Sequence, residues 1–257
     1  MKRIRVIPVL LLKSGDLVKT VRFENPTYIG DPINAVRIFN DKRVDELILL
    51  DIGANRGEER SEDRLLSEIA SEAFMPVAFG GGIDNVGQVE RILKLGVEKV
   101  VINSAAAEDP ELITAIARQF GSQSVVISID VRRRRFGSYR VYTNNGTKAT
   151  GSDPVEHARR VANAGAGEIL ITSILHEGVG RGYDLKLIRT VADAVSVPVI
   201  ANGGASSVAD FAAAVTAGHA SAVAASSMFV FHGKHRAVLI SFPDEALLKR
   251  ELYSISN

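Results

Sequence analysis

The chain has 257 residues, 46% of them hydrophobic and 24% charged, with a net charge of +1 at pH 7; one domain of that length buries roughly 75% of its unfolded surface without a metal or disulfide staple. Balanced charge argues against the broad basic face of a nucleic-acid binder, and zero cysteines exclude any disulfide. No apolar run approaches the ~20 residues of a membrane span and no leader pattern is visible, so a cytoplasmic protein without a membrane partner is expected.

In chain order, "RVIPVLLL" (5–12) reads as a buried strand that ends in a Lys-Ser-Gly turn. "DPINAVRIFND" (31–41) follows as a helix, with Asp as N-cap and Pro at the first turn. Strand "ELILLDI" (46–52), strand "PVAF" (76–79), helix "DNVGQVERILKLG" (84–96) and strand "KVVIN" (99–103) come next. Helix "DPELITAIARQFG" (109–121) leads into strand "SVVISID" (124–130), and helix "DPVEHARRVANAG" (153–165) into strand "EILITS" (168–173). The last strands are "VPVIA" (197–201) and "SAVAAS" (221–226). Eight strands apolar on both faces, with amphipathic segments between them, predict a parallel sheet closed into a (β/α)₈ barrel; a doubly wound open sheet is the alternative.

An internal repeat favours closure. Pro76 of "PVAFGGG" and Pro198 of "PVIANGGA" are 122 residues apart, as are Glu46 and Glu168, and Ser104 and Ser226. One spacing across three strand pairs predicts a single domain over 1–257 made of two half-barrels, roughly 1–121 and 122–257.

The active face of such a barrel lies at the C-terminal strand ends. There "GGG" (80–82) and "NGG" (202–204) each enter a helix, and so do "INSAA" (102–106) and "AASS" (224–227). Glycine lets backbone N–H groups approach a phosphate and a helix N-terminus adds donors, so the duplicated set predicts a substrate with two phosphates. Tight βα turns are the plainer reading of any single pair. Asp51, Asp130, Thr172 and Ser173 stand at other strand ends, where a carboxylate is a candidate general acid or base. Asp130 is read as ending its strand, and the "RRRR" run (132–135) after it reads as a solvated loop able to pair with it or touch a phosphate. The five histidines form no metal-ligand pattern; "HGKH" (232–235) reads as surface and only His176 falls near the mouth, so neither metal nor cofactor is expected. At the opposite end, Arg5, Glu46, Lys99 and Glu168 each stand near a strand start. They read equally as solvated charges or as an alternating ring that closes the barrel floor.

Together these residues resemble the cyclase subunit of imidazole glycerol phosphate synthase, the HisF-like family of histidine biosynthesis. The likeness covers nearly the whole chain, through "FEN" (23–25), "GDP" (30–32), "DELILLDI" (45–52), "GGGI" (80–83), "INSAA" (102–106), "DPELIT" (109–114), "FGSQ" (120–123), "GAGEIL" (165–170), "GYDL" (182–185) and "VPVIANGGA" (197–205). The resemblance implies a lyase coupled to a glutaminase subunit docked at the N-terminal face, with ammonia passing up the barrel. By position it implies an ammonia gate at Arg5, Glu46, Lys99 and Glu168. It implies phosphate sites at Gly81, Gly82, Asn103 and Ser104, and at Gly203, Gly204, Ala225 and Ser226. Asp51, Thr172, Glu177 and Gly178 would line the substrate.

The family's chemistry uses two aspartates, at the ends of the first and fifth barrel strands. The second is Asp130, but the first falls on Leu11, which can neither donate nor accept a proton; the nearest acid, Asp16, lies beyond the turn. The loop after the sixth strand also departs, with Leu175, Glu177 and Val179 in place of two acids and a threonine. Gly53 replaces a threonine, and Asn202 replaces a serine. The resemblance with these departures implies three functions: a true cyclase, an ammonia-channelling paralog that helps supply ammonia for amidation of an N-acetyl sugar in surface-polysaccharide synthesis, or a silent barrel that activates a glutaminase.

Overall fold

The computed structural model describes residues 3–54, 63–135 and 137–256. The chain runs β1 (Arg5–Lys13), β2 (Asp16–Val21), β3 (Glu24–Gly30), α1 (Pro32–Asp41), β4 (Leu47–Asp51), α2 (Asp63–Glu72), β5 (Val77–Gly80), α3 (Val86–Lys94), β6 (Lys99–Ile102), α4 (Ser104–Glu108), α5 (Pro110–Phe120) and β7 (Val125–Arg133). It continues through β8 (Tyr139–Thr143), β9 (Lys148–Ala149), α6 (Pro154–Ala164), β10 (Glu168–Ser173), α7 (Leu185–Ala192), β11 (Val199–Asn202), α8 (Val208–Thr216), β12 (Ala222–Ala225), α9 (Ser227–Val230), β13 (Phe231–His232), β14 (Ala237–Val238) and α10 (Glu245–Glu251).

Eight strands pair in parallel in the order β1-β4-β5-β6-β7-β10-β11-β12, and β12 pairs back to β1, closing the barrel. Closure gives each of the eight barrel strands a parallel neighbour on both sides and sorts the apolar side chains into two cores. Ile7, Val9, Ile48, Ala78, Val101, Val126, Leu170, Ile200, Ala222 and Ala224 fill the interior, and a larger cluster including Leu10, Leu12, Phe39, Ile113 and Phe211 packs between barrel and helices. Alternation along β1 therefore sends Leu10 and Leu12 outward and Leu11 to the inside.

The predicted helix starts form for the reasons read from the residues. The side chains of Asp31, Asp109 and Asp153 accept from the N–H groups of Asn34, Glu111 and Val155, each with Pro at the first turn. Such a cap contributes about 1 kcal/mol. Ser207 and Asp210 close a reciprocal capping box on α8. The 122-residue spacing recurs in the elements: α1, α2, β5 and α3 begin at Pro32, Asp63, Val77 and Val86, and α6, α7, β11 and α8 at Pro154, Leu185, Val199 and Val208.

Two insertions at the C-terminal face depart from the simple βα plan. The Lys-Ser-Gly turn does not release the chain toward α1 but folds it back, so β2 pairs antiparallel with β1 and then with β3. Asp130 does not end its strand. β7 runs on to Arg133 because β8 pairs antiparallel with it, setting Asp130 opposite Tyr142 and Arg132 opposite Arg140. Arg132 and Arg133 are thus strand residues rather than loop. None of the described helices is long and apolar enough to cross a membrane.

Candidate active site

At the N-terminal end the inward positions of β1, β6 and β10, and the residue before β4, are all charged. Glu46 takes Arg5 on one oxygen at 2.5 Å and Lys99 on the other at 2.9 Å. Glu168 takes the same two cations at 2.5 and 3.1 Å. The four side chains close an alternating ring under the apolar interior, with Glu46 buried at 2% exposure. The reading of these residues as separately solvated charges does not hold. Burial alone would raise the Glu168 pKa, but hydrogen bonds and charge from Arg5, with Lys99, outweigh it and hold the carboxyl below its ordinary value.

At the other end a pocket of about 260 Å³ opens at the strand tips. Its walls differ in chemistry. Val9, Leu11, Leu50 and Ile52, from β1 and the end of β4, make one side apolar; Asn103, Ser128, Asp130, Thr172 and Asn202, on or next to β6, β7, β10 and β11, make the other polar. Leu11 pairs in register with Leu50 on one side and Val18 on the other, so its side chain continues a hydrocarbon surface. Asp16 sits opposite Lys13 at the exposed end of the hairpin and brings no carboxylate to that wall.

Asp130 is the carboxylate of the polar wall. Asn103 Nδ2 donates to its Oδ2 at 3.0 Å, and the Ser128 hydroxyl approaches Oδ1 at 3.5 Å. Burial pushes its pKa up to about 7; the hydrogen bonds from Ser128 and Asn103 oppose this, the Glu177 charge adds to it, and Thr172 opposes it. A carboxyl half-protonated near neutrality suits proton transfer in either direction. No arginine of the 132–135 run pairs with it among the described contacts; Arg132 lies over the Tyr142 ring instead, 5.1 Å from its centroid.

Of the residues singled out from sequence, Gly81, Gly82, Asn103, Ser104, Asp51, Asp130, Thr172, Glu177 and Ser226 line the pocket. Gly203, Gly204, Ala225 and Gly178 sit at neighbouring strand ends and in the β10–α7 loop without lining it. Two glycines are required by backbone approach. At Gly81 (φ +137) a Cβ would fall 2.5 Å from the Asp51 carbonyl oxygen, and at Gly204 (φ +117) one would fall 2.2 Å from that of Gly182. His176 staples its loop, with Nδ1 2.8 Å from the Gly182 carbonyl oxygen. Among the described residues no three His, Asp or Glu side chains converge as a metal site would require.

Sequence reasoning missed Lys19, Thr20, Phe23 and Asn145. Lys19 on β2 is buried at 2% exposure and ion-paired with Glu177, holding the β10–α7 loop against the β2–β3 hairpin. The Arg22 N–H adds a bond to the Glu177 carbonyl at 2.9 Å. Thr20, Phe23 and Asn145 line the pocket. The β-branched Val18, Thr20 and Val21 of "DLVKTV" (16–21) are the signal that marks this strand.

Comparison with known proteins agrees with this architecture. The family model described as "Histidine biosynthesis protein" matches residues 5–235. A Pseudomonas aeruginosa protein provisionally named imidazole glycerol phosphate synthase subunit hisF2 is 54% identical, covering 95% of this chain and 97% of the relative. One from Vibrio vulnificus, provisionally named subunit hisF3, is 47% identical over 98% and 97%. The imidazole glycerol phosphate synthase subunit HisF of Alkaliphilus metalliredigens is 45% identical over 89% and 90%. With a closed eight-stranded barrel and matches of this extent, the chain belongs to the histidine biosynthesis protein family and is a HisF-like barrel.

Proposed function

We propose that this chain is a HisF-type ammonia-receiving subunit whose cyclase step is lost or redirected. In this reading a glutaminase docks at the N-terminal face, and ammonia passes the ring of Arg5, Glu46, Lys99 and Glu168. It then rises through the barrel to a phosphate-bearing substrate at the C-terminal mouth. The glycine pairs 81–82 and 203–204, with Ser104 and Ser226 opening α4 and α9, support two phosphate contacts at opposite sides of that mouth.

The observation that carries the reading is Leu11. Its position faces the same pocket as Asp130, and it presents hydrocarbon where ring closure needs a second proton-transfer group. Losing one member of an acid–base pair commonly costs ~10² to 10⁴ in rate. Asp130 remains able to exchange a proton, so a one-carboxylate reaction on another acceptor stays open to the site. The relatives at 54% and 47% identity carry the numbers hisF2 and hisF3, as further copies beside a first would. That favours a paralog serving a different acceptor, such as an N-acetyl sugar bound for surface polysaccharide, over a silent glutaminase activator.

The test is cyclisation of the family's bisphosphate substrate with excess ammonium salt and no partner. We expect no turnover from the native chain and measurable turnover from Leu11→Asp. Family-like rates from the native chain would overturn the proposal. Stimulation of a cognate glutaminase checks the docking face separately.

A further inference from the structure

The polar wall of the pocket contains an amide whose orientation is set by its neighbours. Register places Asp130, Thr172 and Asn202 side by side on β7, β10 and β11. Asn202 Nδ2 donates to Thr172 Oγ1 at 3.1 Å. Thr172 stands in register between Asp130 and Asn202, and its Oγ1 is the acceptor of that bond. The carboxamide oxygen is therefore turned away from β10. Asn202 is 6% exposed and lines the pocket, and its Oδ1 has no hydrogen-bond partner among the described residues. On the next strand end Ser226, 5% exposed and also lining the pocket, leaves its hydroxyl without a partner.

A buried acceptor without a donor costs free energy in the unliganded protein, and a bound group that supplies the donor recovers it. A phosphate oxygen cannot do so, because two acceptors repel. Nor does this corner select an ammonium-like cation: carboxylates line the pocket at Asp51, Asp84, Glu108, Asp130 and Glu177, but the register partner of Asn202 is the neutral Thr172, and Glu177 is already paired with Lys19. What fits is a neutral O–H or N–H.

We propose that Asn202 is a specificity-determining residue whose carboxamide oxygen accepts a hydrogen bond from a neutral hydroxyl or amide N–H of the substrate, beside Ser226 on the β11–β12 side of the mouth. This rests on the reading that the mouth takes a phosphate-bearing substrate. The substrate class becomes a phosphate ester with a hydroxyl or amide close to the phosphate, its remaining surface meeting the hydrocarbon of Leu11 and Leu50.

The probes are glycerol 3-phosphate and n-propyl phosphate, which share a phosphate and differ in hydroxyl donors, titrated calorimetrically into the full chain. The native protein is expected to bind glycerol 3-phosphate at least about tenfold more tightly. Asn202→Leu should bring that ratio to within about twofold while leaving the propyl phosphate affinity unchanged. If that variant does not fold, Asn202→Ala carries the same comparison, since it removes the acceptor without adding bulk. A native ratio near one with both probes bound, or a ratio that survives in the variants, overturns the role of Asn202 and leaves the phosphate reading standing. No binding of either probe to the native chain overturns both.

Discussion

Replacing Glu46 with Gln tests whether the charged floor is a coupled unit. In the native ring two carboxylates serve two cations, each oxygen pair spanning Arg5 and Lys99 at 2.5–3.3 Å. Glu46→Gln keeps the side-chain shape, removes one negative charge, and leaves Arg5 and Lys99 sharing Glu168. Glu46 is almost wholly enclosed, so solvent cannot screen the imbalance. Removing one partner of a buried pair typically costs about 3–5 kcal/mol, against a total stability of about 5–15 kcal/mol. For a domain of this size that corresponds to a fall of about 6–20 °C in Tm. Urea and thermal unfolding followed by circular dichroism measure both. Adding Lys99→Met restores neutrality through the Arg5–Glu168 pair, and the double variant should regain at least about half of the loss. A loss below about 1 kcal/mol, the scale of a solvated surface pair, would refute the coupled ring. Because Glu168 is held below its ordinary pKa, its share of stability is present above about pH 4.5 and fades as acid protonates it in the folded state.

Asp130 behaves with the opposite sign. Its folded pKa of about 7 lies above the unfolded value near 3.9, so its stabilising contribution is full below about pH 4 and is lost as pH rises through 7. Asp130→Asn should therefore gain stability relative to the native chain between pH 5 and pH 8 in urea unfolding; an equal difference at both would contradict the buried carboxyl. Glu177→Gln removes a charge that pushes Asp130 up and leaves the Lys19 cation behind, so the Asp130 titration seen by carbon-13 NMR should move below 7, and an unmoved titration would count against it. Lys19→Met strands Glu177 without its cation and should cost about 3–5 kcal/mol in urea unfolding, with much of that recovered in Lys19→Met/Glu177→Leu. Gly204→Ala should lose at least about 1–3 kcal/mol, measured the same way, from the strain of a side chain at positive φ, with the clash of its Cβ on the Gly182 carbonyl oxygen added to it.

Much of the fold was legible because its causes are local. The caps Asp31, Asp109 and Asp153 act on N–H groups two or three residues away, so their spacing to Pro and to the apolar positions is visible along the chain. The hairpins were less legible. Whether the Lys13–Gly15 turn releases the chain or folds it back depends on β1 offering a free ladder edge above the barrel, which no neighbouring residue reveals. The end of β7 was misjudged for the same reason: β8 supplies partners that carry the strand on to Arg133.

The candidate site divides in the same way. Family resemblance singled out Leu11 and Asp130 as a pair of positions on the first and fifth barrel strands, and the repeated Gly and Ser positions marked two comparable corners. Residue types alone thus determined a parallel barrel with an apolar tip on its first strand. Only tertiary structure joined Arg5, Glu46, Lys99 and Glu168 into a ring, buried Lys19 against Glu177 at a sequence separation of 158, and set the Asn202 amide against Thr172. The reason is physical: caps and alternation are set by bonds within a few residues, whereas charge neutralisation, desolvation and hydrogen-bond satisfaction depend on which distant strands closure brings together.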